Sequence, residues 1–265
     1  MIGTQIRARA KEVSPPPGRP PIVLDTVSKV YGSGEAAVPA LDGISLEVAE
    51  QDFLCIVGAS GCGKSTLLNL LAGLDRPTGG QISVHGGTAL MFQESALFPW
   101  LTVSGNVELA LRLRGVPRRE RKQQAAQLLE SVHLGGFAHK RPHELSGGMR
   151  QRVALARAFA QDAEILLMDE PFGALDAMTR DLLHDEMERL WHDRALTVVF
   201  VTHNVREAVR LGNRVVMLSS RPGRVVEEFA VPFERPRRIE SPEVSALAGE
   251  ITERLREEVR RHGGR

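Results

Sequence analysis

The sequence predicts an α/β protein built on a buried parallel sheet, with a helical segment inserted into it. Three observations carry that prediction. Short, nearly unbroken apolar runs (FLCIV at 53–57, EILLMD at 164–169, LTVVFVTH at 196–203) are what strands covered on both faces require. A glycine loop, GASGCGKS at 58–65, stands directly between one such strand and the helical run STLLNLLAGL. Three helical patterns then follow one another between 103 and 161 and interrupt the α/β alternation.

Taken in order, residues 1–21 end in SPPPGRPP, and proline this dense predicts a disordered or polyproline-like leader. IVLDTVSKVY (22–31) and ISLEV (44–48) read as strands, as do QISVH (81–85) and TALMF (88–92). KSTLLNLLAGL (64–74) is apolar on every side, as a buried helix is. VSGNVELALRLRG, PRRERKQQAAQLLESVHL and MRQRVALARAFAQ give the three inserted helices, and Pro117 suits a helix start. LDAMTRDLLHDEMERLW is helical, His203 ends the strand LTVVFVTH, and VREAVRLG is a helix closed by Gly212. RVVMLSS and RVVEEFAV, joined through RPG, read as two strands and a turn. In the tail, Val244, Leu247, Ile251, Leu255 and Val259 fall on one face of an amphipathic helix. The domain expectation is a leader at 1–21, a main domain at 22–235 with its helical part at about 95–162, and a helical tail at 236–265.

Composition removes several classes. The net charge of +1 provides no field for nucleic acid or an anionic membrane surface. Cys55 and Cys62 form neither a disulfide framework nor a zinc spacing, which fits a reducing compartment. No apolar run approaches the roughly 18–20 residues of a membrane helix, and the N-terminus lacks the apolar core of a signal peptide. A cytosolic chain is expected, with any membrane span supplied by another polypeptide. His139 and His143 are four apart, but Pro142 between them spoils a helical metal pair. Only five of 34 basic residues are lysines, which singles out Lys64 within the glycine loop.

That loop is a phosphate cradle by its chemistry. Gly58, Ala59, Ser60, Gly61, Cys62 and Gly63 bring backbone N–H groups close to an anion, and the helix opening at Lys64, Ser65 and Thr66 adds its dipole. Lys64 reaches β- and γ-phosphates, and Ser65 ligates Mg²⁺. Asp169, ending the strand ILLMD, is a second Mg²⁺ ligand, and Glu170 beside it polarises the attacking water. His203 is placed on the same strand rim, within reach of the γ-phosphate and that water. Gln93, after TALMF, has the reach to touch Mg²⁺ or the water. Asp176 in FGALD is a candidate link to a neighbouring subunit, and the lone tyrosine, Tyr31, a candidate stacking face for adenine. For Cys62 a lowered thiol pKa competes with a small space-filling role, and the latter is preferred.

A second phosphate motif, ELSGGMRQR at 144–152, places Ser146, Gly147 and Gly148 at the start of a helix. With it the set is complete. The chain resembles the ATP-binding subunits of ABC transporters across roughly residues 22–230, through GASGCGKS, the glutamine of MFQES, LSGG as signature, ILLMDE, GALD as D-loop and THN. Methionine follows LSGG where many relatives have glutamine. The resemblance implies a P-loop NTPase, the ABC ATPase core, with an antiparallel β-subdomain and an inserted helical signature subdomain. It also implies a head-to-tail homodimer in which Ser146, Gly147 and Gly148 contact ATP on the partner's P-loop. FQESALFPWLTVSGNV, MDEPFGALDAMTR and VTHNVREAV followed by SSRPGRV are similar to the branch serving nitrate, aliphatic sulfonate and taurine import, although VHGGTALMFQE leaves little between its strands.

The partners implied are a second copy, integral membrane permease subunits and, indirectly, an extracytoplasmic substrate-binding protein. The expected place is the cytoplasmic face of the cell membrane, as a peripheral subunit. Phe98 and Trp100 in ALFPWL are read as a docking groove for a permease helix, with packing inside the helical subdomain as the alternative. A soluble ABC-type ATPase acting on DNA or ribosomes is disfavoured, because no heptads, zinc cysteines or second cassette are present. A P-loop kinase or GTPase gives no reason for LSGG and lacks NKxD.

Overall fold

Two β-sheets face each other across one helix. The computed structural model describes residues 20–262, so the predicted leader lies almost wholly outside the described residues. The strands are β1 (Ile22–Tyr31), β2 (Val38–Val48), β3 (Phe53–Val57), β4 (Gly79–Val84), β5 (Thr88–Met91), β6 (Ile165–Asp169), β7 (Thr197–Val201), β8 (Arg214–Leu218) and β9 (Val225–Ala230). The helices are α1 (Lys64–Leu71), α2 (Val103–Leu113), α3 (Arg118–Ser131), α4 (Gly147–Phe159), α5 (Ala177–Asp193), α6 (Val205–Leu211) and α7 (Pro242–His262).

The larger sheet has the order β5-β6-β7-β3-β8-β9. It is parallel except for β9, which returns antiparallel to β8. Every residue of β3, β6 and β7 is buried, as the apolar runs require of strands covered on both sides. The smaller sheet, β2-β1-β4, is antiparallel. Only His85, Gly86 and Gly87 separate β4 from β5, so this short link carries the chain from one sheet to the other.

Alternation along β3 divides the interior. Leu54 and Ile56 join Ile22, Leu24 and Ile44 of the smaller sheet around Leu67, Leu68 and Leu71 of α1. Phe53, Cys55 and Val57 face the opposite way, into the cluster that holds α2–α4 and the C-terminal helices. α1 is therefore the helix between the sheets, and the loop before it is fixed by both. α2 starts at Thr102, whose hydroxyl accepts from the Gly105 N–H at 3.0 Å. Among the described residues no helix is long and apolar enough to cross a membrane.

Two local expectations are corrected. β7 stops at Val201, so His203 stands in the loop beyond the strand rather than at its end. Thr202 still donates its N–H to the Ile56 carbonyl of β3, but beyond it the Thr202 and Asn204 side chains take up the hydrogen bonding. Gly212 follows α6 with φ −73° and ψ 147°, so it is extended and not left-handed. The α6 carbonyls are met instead by Arg237, which donates to Val209 at 3.2 Å and Gly212 at 2.6 Å and also to Val231 and Phe233; burial pushes its pKa down to about 10. The tail helix α7 packs on α6, burying Val244, Ala248 and Ile251, while Val259 remains exposed.

Candidate nucleotide-hydrolysis site

The loop 58–65 joins β3 to α1 with glycine where a side chain has no room. Gly63 has φ +103°, and a Cβ there would lie 2.7 Å from both the Ala40 carbonyl oxygen and Leu41 Cδ2. Lys64 is buried, and its Nζ donates to the Gly58 and Ala59 carbonyls, each at 2.9 Å. The loop thus holds its own cation folded back over a ring of backbone. Cys62 packs into the core around α1, 3.8 Å from Lys64 Nζ, and burial raises its thiol pKa despite that charge. The space-filling reading of Cys62 is the one this environment supports.

Across the sheet, Asp169 ends β6 and is nearly buried. Burial raises its carboxyl pKa; a hydrogen bond from Ser65 and the charge of Lys64 pull it down, and Glu170 pushes it up. Glu170 adopts φ +46°, which is unfavourable for a residue with a side chain, and its N–H is anchored to the Val201 carbonyl at 2.9 Å. That turn aims the carboxylate away from the β6 ladder. Glu170 Oε2 then lies 2.9 Å from His203 Nδ1 and 3.5 Å from Gln93 Nε2. Residues far apart in sequence thus meet beyond the C-terminal ends of β5, β6 and β7, where parallel sheets hold ligands.

Ser146 caps α4, its hydroxyl accepting from the Met149 N–H at 3.2 Å. Among the described residues, no hydrogen bond links 146–148 to the loop 58–65. Gly148 instead abuts the segment after Glu170: a Cβ there would stand 2.9 Å from Leu175 Cδ2 and 3.2 Å from the Ala174 carbonyl oxygen. Sequence reasoning missed Gln151. Its buried side chain accepts from the Ala174 N–H at 3.0 Å and donates to the Gln93 carbonyl at 3.4 Å. One amide ties the signature helix to the loops of Gln93 and Asp176. The signal available was its place within ELSGGMRQR, one turn into the helix.

The family model for ABC transporters matches residues 41–173. Over 244 residues the chain is 45% identical to an uncharacterized ABC transporter ATP-binding protein of Methanocaldococcus jannaschii, covering 89% of this chain and 91% of that one. The chain belongs to the ABC transporter family. It is also 47% identical over 224 residues to a taurine import ATP-binding protein of Mesorhizobium japonicum, spanning 82% of this chain and 86% of that protein. A solved ATP-binding cassette, a dimer in a post-hydrolysis state bound to ADP and Pi, superimposes with a TM-score of 0.74 at 34% identity, over 80% of this chain and 100% of the other. This cassette therefore binds nucleotide and couples ATP hydrolysis to transport.

The remaining expected positions of the cassette are spread around this centre. Tyr31, 40% exposed at the end of β1, donates to Asp75 Oδ2 at 3.1 Å, and Lys29 Nζ lies 4.9 Å from its ring centroid. Asp176 caps α5, accepting from the Thr179 N–H at 2.9 Å, and this bond lowers its pKa. Phe98 and Trp100 pack ring on ring, centroids 5.4 Å apart, but differ in exposure. Phe98 is half-buried against Arg157 of α4, whose guanidinium also holds the Ser95 and Ala96 carbonyls. Trp100 is 68% exposed.

Proposed function

We propose that this cassette hydrolyses ATP as half of a head-to-tail pair with a second copy of itself, and thereby powers uptake of a small anion. The observation that carries the reading is the meeting of Gln93, Glu170 and His203 next to Asp169, whose carboxyl is bonded by Ser65 and feels the charge of Lys64. The loop 58–66 takes the phosphates, and Lys64 exchanges its two carbonyl partners for β- and γ-phosphate oxygens. Tyr31 offers a ring to the adenine. Glu170 accepts a hydrogen bond from the attacking water and His203 holds water and γ-phosphate in register. Mg²⁺ fits the oxygen donors of Ser65 and Asp169, with Gln93 in support, because the hydroxyl already bonds the carboxyl and a cation would offset the burial that raises its pKa. When bound, it neutralises charge on the phosphate oxygens.

Ser146 and Gly147 form an exposed helix start with Gly148 half-buried behind them, and the N–H groups there, without a hydrogen-bond partner among the described residues, suit the γ-phosphate on the partner's loop; Asp176 lies at the same junction. The dimeric state of the similar solved cassette supports this arrangement. Glu170→Gln tests it: the variant is expected to bind ATP, lose hydrolysis by about 10²–10⁴-fold, and run as an ATP-dependent dimer on gel filtration. A variant that stays monomeric with ATP bound would refute the paired site.

The cargo reading rests on the relatives. A protein 47% identical to this one is a taurine import ATP-binding protein, and the sequence features shared with nitrate and sulfonate importers point the same way. The cassette is then a peripheral subunit at the cytoplasmic face of the membrane, serving permease subunits that receive cargo from an extracytoplasmic binding protein. Trp100, with Phe98 behind it, is the docking position. Phe98→Asp with Trp100→Asp is expected to keep basal hydrolysis and lose co-purification with the permease. Proteoliposomes holding the full transporter should accumulate labelled taurine or another aliphatic sulfonate, and accumulation of neither would refute the cargo assignment.

A further inference from the structure

Behind the Glu170–His203 pair lies a buried chain of polar groups that the hydrolytic reading does not use. Thr202 is 2% exposed, Glu207 4% and His184 0%. The Thr202 hydroxyl donates to Glu207 Oε2 at 2.5 Å, and Glu207 Oε1 lies 2.9 Å from His184 Nε2. Arg210 donates to His184 Nδ1 at 3.1 Å, so Nδ1 is the acceptor and Nε2 carries the proton given to Glu207. Arg210 in turn holds Asp181 and Asp185 of α5. The hydrogen bonds among Thr202, Glu207 and His184 each have a defined direction, although Arg210 Nε is buried without a partner among the described residues, and buried bonds directed in this way specify one geometry.

We propose that Thr202, Glu207 and His184 are positioning residues that set His203 against Glu170. The Thr202 hydroxyl, while donating to Glu207, accepts from the Asn204 N–H at 3.0 Å. The residues on either side of His203 are thus fastened by one oxygen. The Thr202 N–H is held by the Ile56 carbonyl at 3.2 Å, and the Asn204 side chain caps α6 through the N–H groups of Arg206 and Glu207. The His203 side chain is 66% exposed, so its direction depends on this anchored backbone and on its bond to Glu170. From the other side, the His184 ring packs edge-on against Phe172, two residues after Glu170, with centroids 4.9 Å apart. The network therefore touches the loops of both groups. It also joins them to α5, the helix that Asp176 caps. The inference rests on the proposed roles of Glu170 and His203, and it adds what fixes their mutual geometry.

The test uses the full chain with ¹⁵N-labelled histidine, assayed for hydrolysis and nucleotide binding. Thr202→Val keeps the shape and removes the hydroxyl. It is expected to shift the His203 imidazole resonances and to lower kcat about 10–100-fold, the scale of an ångström-sized misplacement, with KM and nucleotide binding unchanged. Thr202→Ser should restore both. Glu207→Gln, a second variant in case the first does not fold, puts an N–H₂ group where two donors already point, and should act in the same direction. Unmoved His203 resonances in a folded Thr202→Val or Glu207→Gln would overturn the proposal. So would kcat and nucleotide affinity falling together without rescue by serine, which is the mark of general loosening. Shifted resonances with wild-type hydrolysis, in this variant and in His203→Ala alike, would uphold the positioning and refute the role given to His203.

Discussion

Gln151→Leu separates structural support from chemistry at this site. Leucine fills a similar volume, so the buried position stays packed. It removes the acceptor of the Ala174 N–H at 3.0 Å and the longer bond to the Gln93 carbonyl at 3.4 Å. Ala174 and Gln93 are exposed residues, so water can replace part of what is lost. The first bond contributes about 1 kcal/mol and the second less. For a chain of this size that amounts to a Tm decrease of about 2–4 °C. The effect on turnover should be much larger in proportion. Gln93 Nε2 already stands 3.5 Å from Glu170, at the edge of contact, and freeing its backbone widens that gap. A fall in kcat of about tenfold or more follows if Gln93 takes part in the step. Nucleotide affinity should hold, because no hydrogen bond of Gln151 reaches the loop 58–65. The assay is steady-state hydrolysis with nucleotide binding and calorimetry on the same preparation. Wild-type kcat at a Tm lowered as expected would refute the link between the signature helix and the catalytic loops.

The other predictions concern groups whose surroundings are equally specific. Asp169→Asn keeps an acceptor for Ser65 but removes a carboxylate whose folded pKa is raised by burial. A raised carboxyl pKa makes stability fall as pH rises through the interval above the ordinary aspartate value; the nucleotide-free variant should therefore gain Tm at pH 7 relative to wild type, gain less near pH 4, and lose hydrolysis. A lower Tm at pH 7 would contradict the burial argument. Cys62, buried and with its thiol pKa raised, should react with iodoacetamide at pH 8 more slowly than free cysteine even without ATP; fast, ATP-protected labelling would indicate an activated thiol instead. Ile251→Ala on the buried face of α7 should destabilise by about 2–5 kcal/mol, measured by denaturant unfolding, and an unchanged midpoint would mean that α7 does not hold α6.

What the sequence disclosed follows from how each feature is encoded. The central strands were legible because burial on both faces leaves FLCIV, ILLMD and TVVFV with almost no polar residue. The phosphate loop was legible because glycine at 63 and lysine at 64 answer local demands, a crowded left-handed turn and an anion. Features that depend on residues distant in sequence were not. Arg237 closing α6, Gln151 bridging two loops and His184 beneath Phe172 each satisfy a partner brought near only by the fold. Nothing in the types Arg, Gln or His announces such a partner. The strand end at 201 was misplaced for a related reason: Thr202 is β-branched and suits a strand, but its hydroxyl is committed to Glu207.

That commitment bears on how the site keeps its shape. Glu170 holds a strained φ of +46°, a conformation that persists only when its surroundings over-determine it. The fixing groups converge on the last residues of β7 and those just after it: Val201 accepts the Glu170 N–H, Thr202 locks the backbone around His203, and His203 bonds the Glu170 carboxylate. Strain at one carboxylate and aim at one imidazole therefore share a single support. Loosening Thr202 should relax both together, whereas loosening Gln151 should disturb Gln93 and the segment around Ala174 without touching the Thr202 support. A Thr202→Val, Gln151→Leu double variant then discriminates. Independent supports predict losses in log kcat that add. If the double variant is no slower than Thr202→Val, the two loops move as one unit and the distinction drawn here between their supports is wrong.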